Sequence, residues 1–522
     1  MFIPTQSESR QKRDLMEEEI ELMVKDYLPE EISHKTDFVF PTRTVLSYAK
    51  DVNWRSIIDP FTLINIPLTY NKLSPQKGNK YQCDIKWGGE GEDVIRMTKY
   101  VECLMLMIRD KVLVNSGNLA LTKIVWTYPL SMPPKRLREL NETWNNAYKK
   151  YFNANGVTTS LSESEAPIIY YFSRCASASN MVNIDIGGGT TDIAFAENDQ
   201  VQSVSSVRFA ANNLFMDAYA PQNRSNGIID FYKEKIKAVL VEKVPELIYA
   251  YNEENNRLPA NMAAFLFSLK DSKKLITEGV EVSSVDFNTM LARDEDFKIV
   301  FILFYAAIIY YIALAIQSKS IGGEIELPRH IILSGNGSKI VRAITTDQKL
   351  LAAFTKEILS EVLGVPYDIE LEIIGLDDET EPKAATCKGS LIRSKNEKTD
   401  TPEILVTNTG QRRLGDEDTY QKISDEYMKE CLDVVCVFFD FILERLNKDF
   451  NLDRNFGVTK SSIKIAREEV AKRGDLKTFL ERGVNGRIEE GDISDSIEES
   501  FFFYPIKGVL HTISDRINKE IK

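Results

Sequence analysis

Residues 183–195 read NIDIGGGTTDIAF, and this stretch decides the fold more than any other part of the chain. An apolar run carries one carboxylate, that of Asp185, close to its end. Three glycines follow and leave the turn free of side chains, and a second apolar run begins directly after them. The pattern predicts two strands, at 181–186 and 191–196, joined by a glycine-rich turn.

A turn of this composition is suited to binding phosphate. Glycines allow backbone N–H groups to approach an anion closely, which makes Gly187, Gly188 and Gly189 candidate phosphate ligands. Thr190 and Thr191 add two hydroxyl groups to the same set. The turn is therefore the first place to look for a phosphate-containing ligand.

Asp185 is the candidate metal ligand of this site. Mg²⁺ usually keeps part of its hydration shell in proteins and takes only one or two carboxylates, so a single aspartate can hold it through water. The alternative is a plain glycine-rich hairpin without a ligand. A strand that places an acid just before GGGTTD favours the phosphate loop over that alternative.

The same string resembles the second phosphate loop of the superfamily that contains actin, the heat-shock chaperone ATPases and the sugar kinases. The resemblance covers roughly residues 37–395 and is strongest at the glycine-rich turn. It implies an α/β protein with a two-lobed, actin-like ATPase fold of the ribonuclease H-like class. It also implies ATP and Mg²⁺ as cofactors, with Asp185 at the metal. Strands that alternate with helices along this part of the chain agree with an α/β class.

Two acids upstream of the turn resemble the family's connecting segment, in which a glutamate positions the attacking water. Residues 162–170 read SESEAPIIY. By its spacing to Asp185, Glu163 is the better match, and Glu165 is the second. A carboxylate near a γ-phosphate is suited to orienting water. The alternative is a pair of solvated acids at the start of a helix.

Two segments downstream resemble the nucleoside-binding parts of the family. Residues 330–340 read HIILSGNGSKI and resemble the adenosine loop, a strand followed by small residues. The residues that would line this loop are Gly335, Asn336, Gly337 and Ser338. Residues 272–275, SKKL, resemble the helix whose basic residues contact the nucleoside, which makes Lys273 and Lys274 further candidates. The alternatives are a simple strand-to-helix turn and a solvated pair of lysines.

One part of the family pattern is missing. The first phosphate loop, an Asp-x-Gly-Thr-like hairpin, should precede the FPTRTVLSYA segment at 40–49, yet residues 1–36 contain no glycine. Either the chain is the C-terminal part of a longer ATPase whose earlier segment supplies the loop, or it is a divergent member that works as a scaffold. Hydrolysis of ATP to ADP and phosphate normally needs both loops, so the enzyme assignment depends on which explanation holds.

Composition limits the class of protein. With 65 Lys and Arg against 78 Asp and Glu the net charge is −13, which argues against a dedicated nucleic-acid binder. Six scattered cysteines without a CxxC pair predict free thiols in a reducing compartment, so we expect a cytoplasmic protein.

Residues 299–316 form an uncharged apolar run that could span a membrane, but its central tyrosines and its place within one site favour a buried helix.

The predicted division is a charged arm at 1–36, a first lobe at 37–200, a second lobe with the adenosine loop at 201–395, and an added helical domain at 396–522. The resemblance implies a nucleotide-dependent switch in which ATP bridges the lobes and a partner or client reads their closure. That partner is expected at the helical C-terminal region, and a homo-oligomer is compatible with the family. A non-hydrolysing scaffold and a filament-forming bacterial actin relative stay open as alternatives.

Overall fold

The computed structural model describes most of the chain from residue 92 onward and three short strands before it. The described residues are 45–49, 64–65, 79–82, 92–129, 132, 134–173, 180–197, 200–220, 222–245, 247–256, 258–271, 275, 278–320, 325–376, 382–393, 402–490 and 493–521. Lys273, Lys274 and the predicted arm at 1–36 lie outside this set.

The strands fall into three sheets. In chain order the strands are β1 (Val45–Ala49), β2 (Ile64–Asn65), β3 (Asn79–Gln82), β4 (Val125–Tyr128), β5 (Thr159–Ser162), β6 (Asn180–Ile186), β7 (Thr191–Glu197), β8 (Gln200–Val207), β9 (His330–Ser334), β10 (Glu372–Ile374) and β11 (Glu403–Ile404). The spatial orders are β2-β1-β3, β4-β5 and β10-β9-β6-β7-β8-β11.

Helices make up most of the rest of the described chain, so it has the mixed α/β architecture that the sequence predicts. The helices are α1 (Glu92–Val114), α2 (Pro134–Tyr151), α3 (Glu165–Phe172), α4 (Gly227–Lys243), α5 (Leu247–Asn255), α6 (Pro259–Ser268), α7 (Phe287–Arg293), α8 (Lys298–Lys319), α9 (Gln348–Leu363), α10 (Pro382–Arg393), α11 (Asp425–Asp440), α12 (Leu452–Phe456), α13 (Lys460–Val470), α14 (Arg473–Glu490) and α15 (Phe503–Ile521). Between α11 and α12 the chain continues as a π-helical turn, Phe441–Leu446, and one short helical turn, Asn447–Phe450.

The six-stranded sheet combines an antiparallel meander with parallel strands. β6, β7 and β8 follow one another antiparallel, as short connections require. β9 returns beside β6 in parallel after the helices α4–α8, and β10 adds to β9 in parallel after α9. The predicted boundary at 200/201 falls after the first residue of β8, whose strand pairs with β7. The glycine-rich hairpin therefore belongs to the same sheet as the strands that follow it.

Alternate residues of the central strands face two different layers. Val182 and Ile184 of β6 join the main hydrophobic cluster with helices such as α8. Met181 of β6 faces the other way and packs with Ile168 of α3 and Ala385 of α10. The register of the strands consequently decides which side chains reach the layer formed by α3 and α10.

Helix α8 is the centre of the main cluster. All but one of its residues up to Ser318 are buried, and its 18 most apolar residues lie entirely inside the molecule. Its length and composition also satisfy the requirements for a membrane span, which a buried core helix equally meets. In the structure this helix is buried inside the molecule, which is the interpretation that the sequence favours.

The described helices of the region predicted as an added helical domain, 396–522, share a hydrophobic core with the central sheet. Phe438 of α11, Ile465 of α13 and Ile513 of α15 belong to the same hydrophobic cluster as the sheet and α8. β11 also extends the central sheet by pairing with β8. An amphipathic helix has the same sequence pattern whether its apolar face covers its own domain or another, so the pattern alone could not reveal this sharing.

Helices α3 and α10 lie between the two-stranded sheet and the six-stranded one. α3 contacts β5 and β6, and α10 contacts β4 and β9. The two helices cross backbone to backbone: a Cβ added at Gly389 of α10 would lie 1.7 Å from the carbonyl oxygen of Ala166 in α3. Only glycine permits that separation. The contacts with strands of both sheets place this pair of helices at the junction of the two sheets.

Candidate functional site

The turn between β6 and β7 is tight and is held from one side. The N–H of Gly187 donates to the carbonyl of Thr190 at 2.9 Å, which closes the turn over Gly188 and Gly189. The carbonyl oxygens of Gly187 and Gly188 accept from the N–H groups of Ala211 and Asn212, at 3.3 and 2.9 Å. The backbone carbonyls of the turn are therefore fixed by the 3₁₀ helix Ala211–Leu214.

The outer side of the same turn carries the donors. Gly188 and Gly189 are exposed, and Thr190 is half-buried. Within the part of the chain that the structure describes, the N–H groups of these three residues donate to no protein acceptor. A short arc of outward N–H groups at a glycine turn is a suitable site for an anion.

The two threonines of the turn have different surroundings. Thr191 is fully buried, and its hydroxyl donates to the carbonyl of Phe209 at 2.6 Å. This bond ties the start of β7 to the chain that follows β8. Thr190 keeps its side chain partly exposed beside the arc of N–H groups. Of the two predicted hydroxyl ligands, Thr190 is the more accessible.

Asp185 has a second carboxylate opposite it. The register of the hairpin pairs Asp185 of β6 with Asp192 of β7, and both side chains are buried, at 8 % and 2 % exposure. By the alternation of the strands both lie on the face that α3 and α10 cover, at the carboxyl end of β6. Two carboxylates at this position fit the one or two that Mg²⁺ takes from a protein.

The role of Asp192 is not predicted from the sequence above, although a signal for it exists. In a hairpin, residues equally distant from the turn face each other. Asp185 and Asp192 each lie three residues outside the Gly188–Gly189 turn. Recognising the two-residue turn would have placed the two acids side by side.

The second glycine loop lies directly on the first. β9 runs parallel to β6 with Ser334 beside Asp185, and the chain then enters Gly335 with φ +77°. A Cβ at Gly335 would lie 2.3 Å from Oδ1 of Asp185, and one at Gly337 would lie 2.4 Å from the carbonyl oxygen of Gly187. Two segments separated by about 150 residues of sequence are thus in contact at the end of the sheet.

The other two residues of this loop shape it. Ser338 is buried and its hydroxyl donates to the carbonyl of Gly335 at 2.7 Å, so it closes the first turn of the 3₁₀ helix Asn336–Ala343. Asn336 is half-buried at the surface of the loop. Of the four predicted adenosine-loop residues, Asn336 has a partly exposed polar side chain, while the two glycines and Ser338 set the backbone.

Glu163 and Glu165 flank the start of α3 in different environments. Glu163 is half-buried at the end of β5, where its N–H donates to the carbonyl of Tyr128 at 2.9 Å. Glu165 is buried, and its charge adds to the effect of burial in raising the pKa of the Tyr128 hydroxyl. Glu165 therefore faces β4, and Glu163 is the more accessible of the two acids. A hydrogen bond from Asn183 to the carbonyl of Ser164 joins this segment to β6.

The remaining predicted ligands are not all placed. Lys273 and Lys274 lie outside the described residues, so their position stays a prediction. Among the described residues, no group of three or more His, Cys, Asp or Glu side chains is gathered as a metal cluster. A magnesium ion bound to phosphates does not need such a cluster, because water and phosphate oxygens supply most of its ligands.

Comparison with known proteins adds no argument to the contacts described above. No protein-family model and no curated protein matches the chain. Two crystal structures of MreB5 of Spiroplasma citri, one bound to ADP and one to AMPPNP, align with 67 % of this chain and 88 % of theirs. Sequence identity is 11 % for both, and the TM-scores are 0.34 and 0.32. Similarity at this level carries no argument about the fold or the site, and both are described here from the contacts given above.

Proposed function

We propose that this chain is an actin-like ATP-binding protein whose two lobes respond to bound nucleotide. The observation that carries the proposal is the contact between the two glycine loops, with Gly335 against Asp185 and Gly337 against Gly187. The strand order supports it as well: an antiparallel meander, β6-β7-β8, is extended by parallel β9 and β10 beside its first strand, as in a ribonuclease H-like sheet. A plain hairpin would need neither feature.

Each part of the site has a defined task in this proposal. The N–H groups of Gly188, Gly189 and Thr190 bind phosphate oxygens on the exposed side of the turn. The loop Gly335–Ser338 bounds the nucleoside. Asp185, with Asp192 beside it, holds Mg²⁺, which when bound neutralises charge on the phosphates.

Glu163 is the proposed water-orienting group. It is half-buried and lies at the junction of the sheets, whereas Glu165 is buried against Tyr128. Hydrolysis additionally depends on a first phosphate loop, which the sequence does not show in residues 1–36. The proposed activity of this chain is accordingly ATP binding, with ATP hydrolysis when that loop is supplied.

A route exists from the phosphate turn to the C-terminal helices. The 3₁₀ helix that holds the turn, Ala211–Leu214, packs against α15. Phe209, whose carbonyl accepts from Thr191, stacks on Phe503 of α15 with ring centroids 4.7 Å apart. Movement of the turn on nucleotide binding would therefore reach α15, which supports a protein partner at the C-terminal helices. A cytoplasmic location and self-association are further parts of the proposal.

Calorimetric titration of the purified chain with ATP·Mg²⁺ tests the proposal. We expect saturable binding that Asp185→Asn weakens at least about tenfold, or about 1.4 kcal/mol. Like charges opposite each other in a hairpin are unfavourable, so the ligand-free variant should be no less stable than wild type. Asp347→Asn is the matched control, because Asp347 caps α9 and asparagine caps a helix equally well.

The outcomes separate the open alternatives. Absence of binding by the wild-type chain contradicts the proposed function. Binding without turnover identifies the non-hydrolysing scaffold. With turnover, Glu163→Gln should lower the rate about 100-fold or more and keep binding, whereas Glu165→Gln should have a small effect. ATP-dependent sedimentation of the chain would identify the filament-forming relative.

A further inference from the structure

A buried asparagine lies between the two parts of the proposed site. Asn183 is fully buried in β6, two residues before Asp185 and on the same face of the strand. Towards the start of the strand this face is apolar, and Met181 packs there with Ile168 and Ile332. A buried amide costs free energy unless its donors and acceptors are satisfied, so its hydrogen bonds indicate why it is there.

The amide joins two different segments. Nδ2 of Asn183 donates to the carbonyl oxygen of Ser164 at 3.2 Å. Oδ1 of the same side chain accepts from the hydroxyl of Ser334 at 3.0 Å. The orientation of the amide is fixed by chemistry, because a carbonyl can only accept and therefore requires the nitrogen. All three residues have 0 % exposure, so water does not compete for these bonds.

Each partner is next to a residue of the proposed site. Ser164 directly follows Glu163, and Ser334 directly precedes Gly335. The turn around Glu163 is itself rigid: the hydroxyls of Ser162 and Ser164 lie 3.0 Å apart in a hydrogen bond, and the N–H of Ser164 donates to Oγ of Ser162 at 3.1 Å. One amide thus fixes the position of the Glu163 turn relative to both β6 and the Gly335 loop.

We infer that Asn183 is a positioning residue that holds Glu163 at a set distance from Asp185 and the Gly335 loop. The inference rests on the proposed function, because it assigns the hydrolytic geometry of that same site to Asn183. A carboxylate that orients water must be held to within a fraction of an ångström, and misplacement by about 1 Å costs on the order of 100-fold in rate. The two hydrogen bonds of Asn183 described above go to Ser164 and Ser334, and neither goes to a residue of the phosphate turn or of Gly335–Ser338.

The first test separates rate from affinity. Asn183→Leu has a similar size and removes both hydrogen bonds. Under the conditions in which the wild-type chain hydrolyses ATP, we expect turnover to fall about 10- to 100-fold, while the dissociation constant for ATP·Mg²⁺ changes less than about threefold. Ser334→Ala removes one of the two bonds and should give a smaller fall. Equal loss of affinity and rate, or no loss of either, would overturn the inference.

The matched control is another buried serine of the same sheet. Ser205 of β8 hydrogen-bonds the hydroxyl of Tyr311 at 2.7 Å, and both residues are buried. Ser205→Ala therefore removes a bond of the same kind as Ser334→Ala, away from both loops. We expect a similar loss of stability in the two variants but a lower turnover only in Ser334→Ala.

The second test does not need nucleotide. Hydrogen–deuterium exchange of the ligand-free chain should show faster exchange in Asn183→Leu at 162–166 and at 335–338 together, and no change there in Ser205→Ala. Unchanged exchange at either segment means that Asn183 does not hold them, which overturns the inference. If the wild-type chain binds no ATP, the proposed function fails, and this measurement still decides whether Asn183 ties the two segments.

Discussion

The two glycine loops of the site use glycine for opposite reasons. At Gly335 and Gly337 an added Cβ would come within 2.4 Å of backbone or carboxylate atoms of the first loop. At Gly189, among the residues that the structure describes, it would meet no atom within 4 Å. The second loop therefore needs glycine so that the chain can fold, whereas the first loop has open space where a ligand would lie. The comparison separates residues that build the site from residues that bind.

The largest expected effect lies in the second loop, where close approach and backbone conformation can be separated. Gly335 combines a φ of +77° with the close approach, Gly337 has the close approach without a positive φ, and Gly279 has a φ of +70° in open space. We expect Gly335→Ala to lower the free energy of unfolding by about 3 kcal/mol or more and Gly337→Ala by somewhat less. Gly279→Ala should cost about 1 kcal/mol. Chemical denaturation measures all three.

The order of these three variants is the informative result. If Gly279→Ala cost as much as Gly335→Ala, backbone conformation alone would explain the glycine. The contact between the two loops would then lose its support.

In the first loop we expect a smaller effect, on ligand binding and not on stability. Gly189→Val should leave the free energy of unfolding within about 0.5 kcal/mol of wild type, because the new side chain enters open space. It should weaken ATP·Mg²⁺ binding about tenfold, since the branched side chain occupies the approach to the outward N–H groups. Gly474→Val, at an exposed glycine of α14 that likewise has open space, is the control for binding. Unchanged affinity in Gly189→Val would remove the turn from the ligand site.

The sequence predicts much of the first loop and little of its surroundings. The strands predicted at 181–186 and 191–196 are observed as β6 and β7, because an apolar run on each side of three glycines leaves few other structures. β8 was not predicted, since QVQSVSSV is polar at alternate positions and carries no strong apolar run. The contact of Gly335 with Asp185 depends on parallel pairing across helices α4–α8, which no local pattern encodes.

In the C-terminal helices, too, the local sequence pattern predicts the element but not the part of the molecule against which it packs. Periodicity predicts one helix over 419–446, and the structure has α11 beginning at Asp425, after the N-cap Ser424, whose hydroxyl accepts from the N–H of Tyr427. Periodicity does not say which core the apolar face covers. The helices pack on the sheet and on α8, and the 3.6-residue period from which the domain at 396–522 is predicted does not indicate that packing.

The most direct measurement is a crystal structure of the chain with a non-hydrolysable ATP analogue and Mn²⁺ in place of Mg²⁺. We expect an anomalous scattering peak beside the Asp185 and Asp192 carboxylates. We also expect phosphate oxygens within hydrogen-bond distance of the N–H groups of Gly188, Gly189 and Thr190, and the nucleoside against Asn336. A nucleotide bound elsewhere, or a metal remote from Asp185, would contradict this expectation.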